Sequence, residues 1–497
     1  MRKEIIKILT EHGYLIEPKS IEYILAQKDP ISYITRVLGQ ISERHSIITL
    51  EDLKRLESKN ELELSSGGRS REFEISEQIK IPTEQKPVEE MAYSRDWQPI
   101  VQILSDIPES TICTCKLDDF YKYFNWRYES IKNMLRTRRE LFGFMPISKL
   151  KPTNGTQLKA IGLVNDVKMT KHGHKLIELQ DPSGTITALV PSNSQLITDP
   201  LTQDEVIGFM GRFSQRSNLL IIDTIIRPEF EITREVHRTK EDIAIAFISD
   251  LHIGSKTFLY DAWQKFTDWL RNDENIGCKI KYIVIAGDAV DGIGVYPQQE
   301  KDLRLKDINR QYEELSKNLA DIPQELKIIL LPGNHDAVRE AEPQPPLPEN
   351  IRQKFSDNVT FVTNPCYLSI HGIEILAYHG RSMDDLVTSI PNASYSQPIQ
   401  MMKEMLKRRH LAVVYGGRTP IAPEHKDYLV IERVPDIFIT GHTHYCAVER
   451  YKNIILINSS CWQSRTGYQA MQGFTPIPAR AVVVNTHTLE PKILDFS

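Results

Sequence analysis

The chain has 497 residues, 40% of them hydrophobic, which is enough for about three domains and at least one sizeable core. Its formal net charge of -5 excludes a surface that binds nucleic acid by bulk positive charge. Six cysteines without a Cys-x-x-Cys pair give neither a zinc-ribbon spacing nor a secreted disulfide framework. Apolar runs fall short of the roughly 18 to 20 residues of a membrane span, and the N-terminal residues lack the uncharged core of a signal peptide. We therefore expect a soluble, cytoplasmic protein without membrane contact.

Residues 1–58 carry helix signals but no catalytic constellation. Asp29-Pro30 combines an N-cap with proline at the first helical position, and apolar residues then recur at helical spacing from Ile31 to Ile41. This pattern predicts a small helical domain that contacts other proteins. Residues 59–95 turn polar, with Ser65-Ser66-Gly67-Gly68 and scattered prolines, which predicts a flexible linker.

Residues 96–235 predict a helical lead-in followed by a small barrel. The lead-in, residues 96–144, is rich in aromatic residues that we expect to lie in the core or at an interface. From Gly155 to about Phe230, short apolar strands broken by turns such as Asp181-Pro182-Ser183-Gly184 predict a five-stranded OB-fold barrel. The strand faces lack the aromatic residues that stack on bases, so a docking role is favoured, with single-strand binding as the alternative.

Five short polar motifs follow apolar runs in residues 236–497. Each run is typical of a buried strand, and helix-length stretches at 261–270 and 307–319 separate the first of them, which predicts an α/β fold with polar residues at strand ends. Because residues i and i+2 of a strand share a face, we expect both polar side chains of an Asp-x-His or His-x-His motif to point one way, and the strand ends to converge on one edge. The motifs are Asp250-Leu251-His252, Gly287-Asp288 with Asp291, Gly333-Asn334-His335-Asp336, His379-Gly380 and Gly441-His442-Thr443-His444.

These residue types predict a site for two divalent metal ions. Oxygen and imidazole ligands without thiolate suit hard or borderline ions, with Mn favoured over Fe, Zn or Mg. Two such ions about 3.5 to 4 Å apart can clamp the nucleophile and a scissile phosphate for in-line displacement, and they need a carboxylate able to bridge them. The assigned ligands are Asp250, His252 and His444 with Asp288 as the bridge on one ion, and Asn334, His379 and His442 with Asp288 on the other.

His335 is left over and is the candidate catalytic acid or charge stabiliser. We expect Asp336 to hold its imidazole in one tautomer and Asp291 to support the site beside Asp288. The alternative is that each motif, taken alone, is a loop or a satisfied core histidine. His371 and His410 lie outside the motifs and are expected to be structural.

The motif order is that of the calcineurin-like metallophosphoesterases, and longer segments resemble one narrower family. That family is the small subunits of the archaeal family-D DNA polymerases, and the similarity extends from about Leu141 to the C terminus. It implies that residues 236–497 form a two-sheet α/β sandwich of the calcineurin-like phosphodiesterase type. The segments are Asn334 to Pro348, Tyr378 to Ser382 with Asp384-Asp385, Tyr415 to Arg418 with Pro420 to Pro423, and Trp462-Gln463 with Pro476 to Arg480.

The resemblance also implies an activity and partners. The activity is a metal-dependent 3′-to-5′ exonuclease that proofreads for a separate large polymerising subunit. The partners are that subunit, the primer 3′ end, and the sliding clamp or other replisome proteins. Two alternatives remain: a scaffold subunit that mainly holds the large subunit, and a repair nuclease that acts alone. Protein phosphatases are disfavoured because they have Asp-Arg-Gly where this chain has Asp291-Gly292-Ile293.

Two basic groups are candidates for local DNA contact, with solvated helix faces as the alternative. They are Arg136, Arg138 and Arg139, and Lys403, Lys407, Arg408 and Arg409.

Overall fold

The computed structural model describes residues 15–16, 23–25, 33, 47–48, 79–80, 99–105, 107, 116–152, 156–214, 219–230, 235–471 and 473–497. The chain forms two compact units, Met1–Glu72 and Phe73–Ser497. In the first unit, β1 (Leu15–Ile16) pairs in parallel with β2 (Ile47–Ile48). Most of the predicted helical domain lies outside the described residues. The same holds for the predicted linker, except for β3 (Ile79–Lys80) in the second unit.

The lead-in supplies a strand as well as a helix. β4 (Val101–Ser105) is an edge strand of a sheet in the C-terminal half, which corrects the expectation of helical packing alone. α1 (Leu117–Leu135) follows, and it buries Tyr123 and Tyr128 while Tyr121 stays exposed. Local sequence does not reveal β4 because its partner strand lies more than 250 residues further along the chain.

The five-stranded barrel is confirmed. Its strands close in the order β5-β6-β7-β9-β8, which is the arrangement of an OB fold. The carboxylate of Asp181 accepts the backbone N–H groups of Ser183 and Gly184, and this turn joins β6 to β7. The strands are β5 (Leu158–Met169), β6 (Lys175–Asp181), β7 (Gly184–Val190), β8 (Val206–Phe213) and β9 (Leu220–Ile226).

The C-terminal half contains two sheets. The first has the order β13-β12-β11-β10-β19-β20-β3 and the second β17-β18-β16-β15-β14-β4. Their strands are β10 (Ala244–Ile248), β11 (Ile280–Ala286), β12 (Lys327–Leu331), β13 (Val359–Phe361), β14 (Cys366–Ile370), β15 (Ile373–Ala377), β16 (Ile437–Thr440), β17 (Ala447–Tyr451), β18 (Ile454–Asn458), β19 (Arg480–Asn485) and β20 (Pro491–Asp495). The helices are α2 (Tyr260–Asn272), α3 (Ile308–Ala320), α4 (Glu349–Arg352), α5 (Met383–Ser389), α6 (Pro398–Arg408) and α7 (Gly467–Met471).

The two sheets pack face to face with helices on their outer sides. Phe247 and Val284 of the first sheet share one core with Ile375 of the second. The opposite face of β10 and β11 packs instead against α2 and α3. Strands covered on both faces are apolar at nearly every position, which explains why their runs are continuous in the sequence. The expected two-sheet α/β sandwich is therefore present. Among the described residues, no helix has the length and apolar character needed to cross a lipid bilayer.

The two arginines of the basic group at the end of α6 do not form a DNA-contact surface. Arg408 is 2% exposed, and its guanidinium pairs with Glu404 and with Glu205 of the barrel. Arg409 is also buried and donates to the carbonyl oxygens of Ile431 and Glu432. Both expectations for these arginines, DNA contact and a solvated helix face, are wrong.

A second buried charge pair joins α1 to the C-terminal half. Arg127 Nε lies 2.6 Å from Asp427 Oδ2, and neither side chain is exposed. His410 Nε2 lies 2.8 Å from the same oxygen. Burial alone would raise the pKa of Asp427, but the charges of Arg127 and His410 hold it below its usual range.

We predict that Arg127→Met lowers the free energy of unfolding by about 3 to 5 kcal/mol, because it leaves the Asp427 carboxylate buried without its main partner. Urea denaturation measures the loss. Lys122→Met removes an exposed ion pair with Asp118 on the same helix and should change little. The double variant Arg127→Met with Asp427→Asn should recover part of the loss. Equal effects of the two single substitutions would contradict the prediction.

Candidate metal centre

The five motifs come together where strands of both sheets end. Asp250, Asp288 and Asn334 follow β10, β11 and β12 of the first sheet. His379 and His442 follow β15 and β16 of the second sheet. The expectation of a single sheet edge is therefore wrong, because the site lies where the ends of two facing sheets meet.

The motif residues have left the strands before they reach the site. Asp250 and His252 have φ angles of 53° and 51°, and His442 and His444 have φ angles of 65° and 57°. These values lie in the left-handed region. The paired side chains therefore share a direction because of loop conformation, and the strand alternation proposed from the sequence does not apply.

Glycines allow the strand-end loops to approach each other closely. A Cβ atom on Gly333 would lie 2.2 Å from Asp288 Oδ1, and one on Gly441 would lie 2.4 Å from Asp250 Oδ2. A Cβ atom on Gly287 would lie 2.5 Å from His379 Nδ1. Any side chain at these positions would displace a residue of the site.

One group of ligand atoms surrounds Asp250. The Nε2 atoms of His252 and His444 lie 3.0 Å apart, and Asp250 Oδ1 lies 3.3 Å from His444 Nε2. Asp288 Oδ2 lies 4.0 Å from His252 Nε2. The other ring nitrogen of His252, Nδ1, lies 3.0 Å from Asp291 Oδ1, which orients the ring so that Nε2 faces the site. Asp291 thus supports the site as expected, by contact with His252.

A second group shares the Asp288 carboxylate. His379 Nε2 lies 3.2 Å from Asp288 Oδ2 and 3.0 Å from Asn334 Oδ1. His379 Nδ1 lies 2.8 Å from the Ala286 carbonyl oxygen, so Nδ1 carries the proton and Nε2 offers its lone pair. His442 Nε2 lies 3.2 Å from Asp384 Oδ1.

The described residues fit a pair of cations. Asp250 Oδ1 and His442 Nδ1 are buried, and neither has a hydrogen-bond partner among the described residues. Buried polar atoms without a partner are costly, and a bound cation would satisfy both. The ligating atoms of Asp250, His252 and His444 lie within 4.8 Å of one another, as do those of Asp288, His379 and His442. This donor set suits Mn, Fe or Zn.

His335 lies at the edge of the centre and is partly exposed. Its Nε2 lies 3.9 Å from Asp288 Oδ2, and its Nδ1 lies 2.7 Å from the Asp291 carbonyl oxygen. That carbonyl, and not Asp336, fixes the tautomer. The Asp336 carboxylate instead accepts the N–H groups of Gly333 and Ala289 and the Tyr312 hydroxyl. The expected role of Asp336 is therefore wrong, because its side chain turns back to close the loop.

Electrostatics favour an ionised bridging carboxylate. Burial alone would raise the pKa of Asp288, but the imidazoles of His379 and His335 hold it well below its usual range. By contrast, burial and the Asp288 charge raise the pKa of Asp336 to about 6. The two carboxylates thus differ in their readiness to ionise although Asp336 lies near Asp288.

Three supporting residues were not predicted as part of the site. Asp384 contacts His442, and Gln463 Nε2 lies 3.2 Å from Asp291 Oδ1. Gln469 Nε2 lies 2.9 Å from His444 Nδ1. Asp384 and Gln463 stood in segments that carried the family resemblance, whereas nothing in the sequence distinguished Gln469.

Comparisons with known proteins agree on one family. Residues 245–447 match the family of DNA polymerase alpha/epsilon B-type subunits. The DNA polymerase II small subunit of Methanothermobacter thermautotrophicus is 36% identical over 99% of this chain and 100% of its own length. The chain belongs to the archaeal DNA polymerase II small-subunit family. The small subunit of Methanocaldococcus jannaschii is 43% identical over 79% of this chain and 68% of that one.

Solved structures resemble the chain more distantly. A novel archaeal phosphodiesterase is 16% identical, with a TM-score of 0.27, over 51% of this chain and 99% of that one. The E. coli phosphoesterase YfcE is 13% identical, with a TM-score of 0.26, over 51% of this chain and 100% of that one. The fold assignment rests on the strand order given above.

Glu342 is a buried carboxyl group near the centre whose ionisation opposes folding. Its Oε2 accepts the Tyr378 hydroxyl at 2.8 Å, and burial raises its pKa from 4.5 to about 7. Between these two values the folded chain binds a proton that the unfolded chain releases. The contribution of Glu342 to stability therefore falls as pH rises from 4.5 through about 7.

We predict that Glu342→Gln makes the chain more stable than the parent at pH 8, by up to about 3 kcal/mol. The advantage should disappear near pH 4, where both forms are neutral. Urea denaturation of variant and parent at several pH values measures the difference. Glu340→Gln, at an exposed position nearby, is the control. A difference that does not vary with pH would contradict the assignment.

Proposed function

We propose that this chain is a 3′-to-5′ proofreading exonuclease of a heteromeric archaeal replicative DNA polymerase and hydrolyses DNA phosphodiesters with two divalent metal ions. The observation that carries the proposal is the convergence of carboxylate and imidazole atoms on both sides of Asp288. The first ion would be held by Asp250, His252, His444 and Asp288, and the second by Asp288, Asn334, His379 and His442.

Such ions, when bound, would supply Lewis acidity at the scissile phosphate and an activated water at neutral pH. The side chains of this chain hold the ligand geometry and handle the proton. Asp291 and the Ala286 carbonyl orient His252 and His379 from behind. His335 has its Nδ1 proton directed at the Asp291 carbonyl, which leaves Nε2 facing the centre. Protonated at Nε2, His335 would donate to the leaving 3′ oxygen.

The partners follow from the family name. Relatives named as polymerase small subunits imply a large catalytic subunit as partner. The substrate would be the primer 3′ end, and the sliding clamp or other replisome proteins are further candidates.

A scaffold role is the second candidate. Leu117 and Tyr121 lie four residues apart on α1 and are 86% and 68% exposed, which favours contact with another protein. A nuclease that acts alone is the third candidate. Stable copurification with the large subunit would argue against a nuclease that acts alone, and it is compatible with both proofreading and scaffolding.

We predict that Asp288→Asn lowers the rate of primer digestion at least about a thousandfold, because the bridge between the two ions is lost. The substrate is a 5′-labelled primer with a 3′ mismatch on a template, digested in Mn with and without the large subunit. Stepwise shortening from the 3′ end establishes the polarity. Asp268→Asn, an exposed aspartate on α2, is the matched control and should cleave normally. No cleavage by the parent under either condition would overturn the proposal in favour of a scaffold.

We predict that His335→Ala keeps the metal content of the parent but lowers the cleavage rate by about 100- to 10,000-fold, because it removes a proton donor and not a ligand. Equilibrium dialysis against Mn followed by elemental analysis gives the metal content. His172→Ala, at an exposed turn of the barrel, is the control. Metal loss equal to that of Asp288→Asn would show that His335 is a ligand.

A further inference from the structure

Two tyrosines form a stacked pair beside the centre. The rings of Tyr296 and Tyr468 have centroids 4.8 Å apart and are inclined by 24°. Tyr468 is 36% exposed, and Tyr296 is partly buried. Tyr296 therefore backs the Tyr468 ring on one side, while part of the pair remains open to solvent. We call Tyr296 and Tyr468 the tyrosine pair.

The tyrosine pair is attached to both sides of the centre. The ring of Tyr296 lies 6.4 Å from that of His335, centroid to centroid. Tyr468 is followed by Gln469, whose side chain contacts the Nδ1 atom of His444. The pair thus lies between the candidate proton donor and a candidate ligand of the first ion.

Local contacts hold the tyrosine pair in place and put positive charge nearby. The Tyr296 hydroxyl donates to Asp302 Oδ2 at 3.1 Å, which fixes the plane of its ring. Lys256 and Lys301 are exposed beside Asp302, and Lys256 Nζ donates to the Lys301 carbonyl oxygen at 2.8 Å. An aromatic ring next to exposed ammonium groups matches a nucleotide, which offers a flat base and an anionic phosphate.

We propose that the tyrosine pair binds the base of an unpaired nucleotide at the end of a DNA strand by stacking on Tyr468. This inference rests on the proposed function, since it names how that site selects its substrate. A base must leave its partner strand before it can lie on a ring face, and a mismatched terminal base leaves most readily. The pair therefore favours frayed 3′ ends over paired ones. It also supplies affinity that does not depend on bulk charge, which suits a chain of net charge -5.

We predict that Tyr468→Ala lowers the affinity of the full-length chain for single-stranded DNA by about 5- to 100-fold, whereas Tyr468→Phe keeps it, because the ring face is retained. The probe is a short oligonucleotide with 2-aminopurine at its 3′ end, titrated in EDTA so that cleavage does not occur. Stacking quenches the 2-aminopurine fluorescence in the parent and in Tyr468→Phe, and the quenching is lost in Tyr468→Ala. Tyr121→Ala, an exposed tyrosine on α1, is the matched control.

The outcomes separate this inference from the proposed function. Quenching and affinity that are unchanged in Tyr468→Ala overturn it. So does a variant that binds DNA normally but loses the large subunit, because the pair would then be a protein contact. Quenching that depends on Tyr468 in a chain that fails to cleave would support base binding while the exonuclease proposal falls.

Discussion

The centre depends on loop backbone held in a left-handed conformation by hydrogen bonds between neighbouring loops. Aspartate and histidine adopt positive φ more readily than most residues, yet each instance costs on the order of 1 to 3 kcal/mol. The Asp250 N–H donates to the Gly287 carbonyl at 3.0 Å, and the His442 N–H donates to Asp250 Oδ2 at 3.0 Å. Each loop is thus fixed by another loop of the site, so the ligand geometry belongs to the assembled half and to none of its motifs alone. The site residues with positive φ are Asp250, His252, Asp288, His442 and His444.

The sequence predicted the strands of this half well because they are buried on both faces. β10, β11 and β12 carry apolar residues at nearly every position, and the polar motifs begin where that pattern stops. It could not show that the second group of strands forms a separate sheet, because strand order is a tertiary property. For the same reason it assigned to Asp336, the sequence neighbour of His335, a role that the Asp291 carbonyl performs through a fold contact.

The basic run on α6 shows the same limit for charge. A group of lysines and arginines near a helix end is usually solvated, and nothing local distinguishes the arginines of this run. Arg408 is buried because Glu205 comes from the barrel, about 200 residues earlier in the chain. A buried ion pair of this kind gives specificity to the packing of the barrel on the C-terminal half, since neither charge is stable there without the other. The sequence shows each charge but not their meeting.

The charge distribution of the proposed exonuclease also bears on how DNA reaches it. Asp250 and Asp288 are buried and acidic, so without cations the centre would repel a phosphate. Bound divalent ions would reverse that field, which couples DNA affinity at the centre to metal loading. The tyrosine pair is uncharged and lies beside the centre, so base stacking there would be independent of the ions. A strand end could then be held by its base first and gain its phosphate contact only in the metal-loaded site, and this order would restrict cleavage to ends that have already separated from the template.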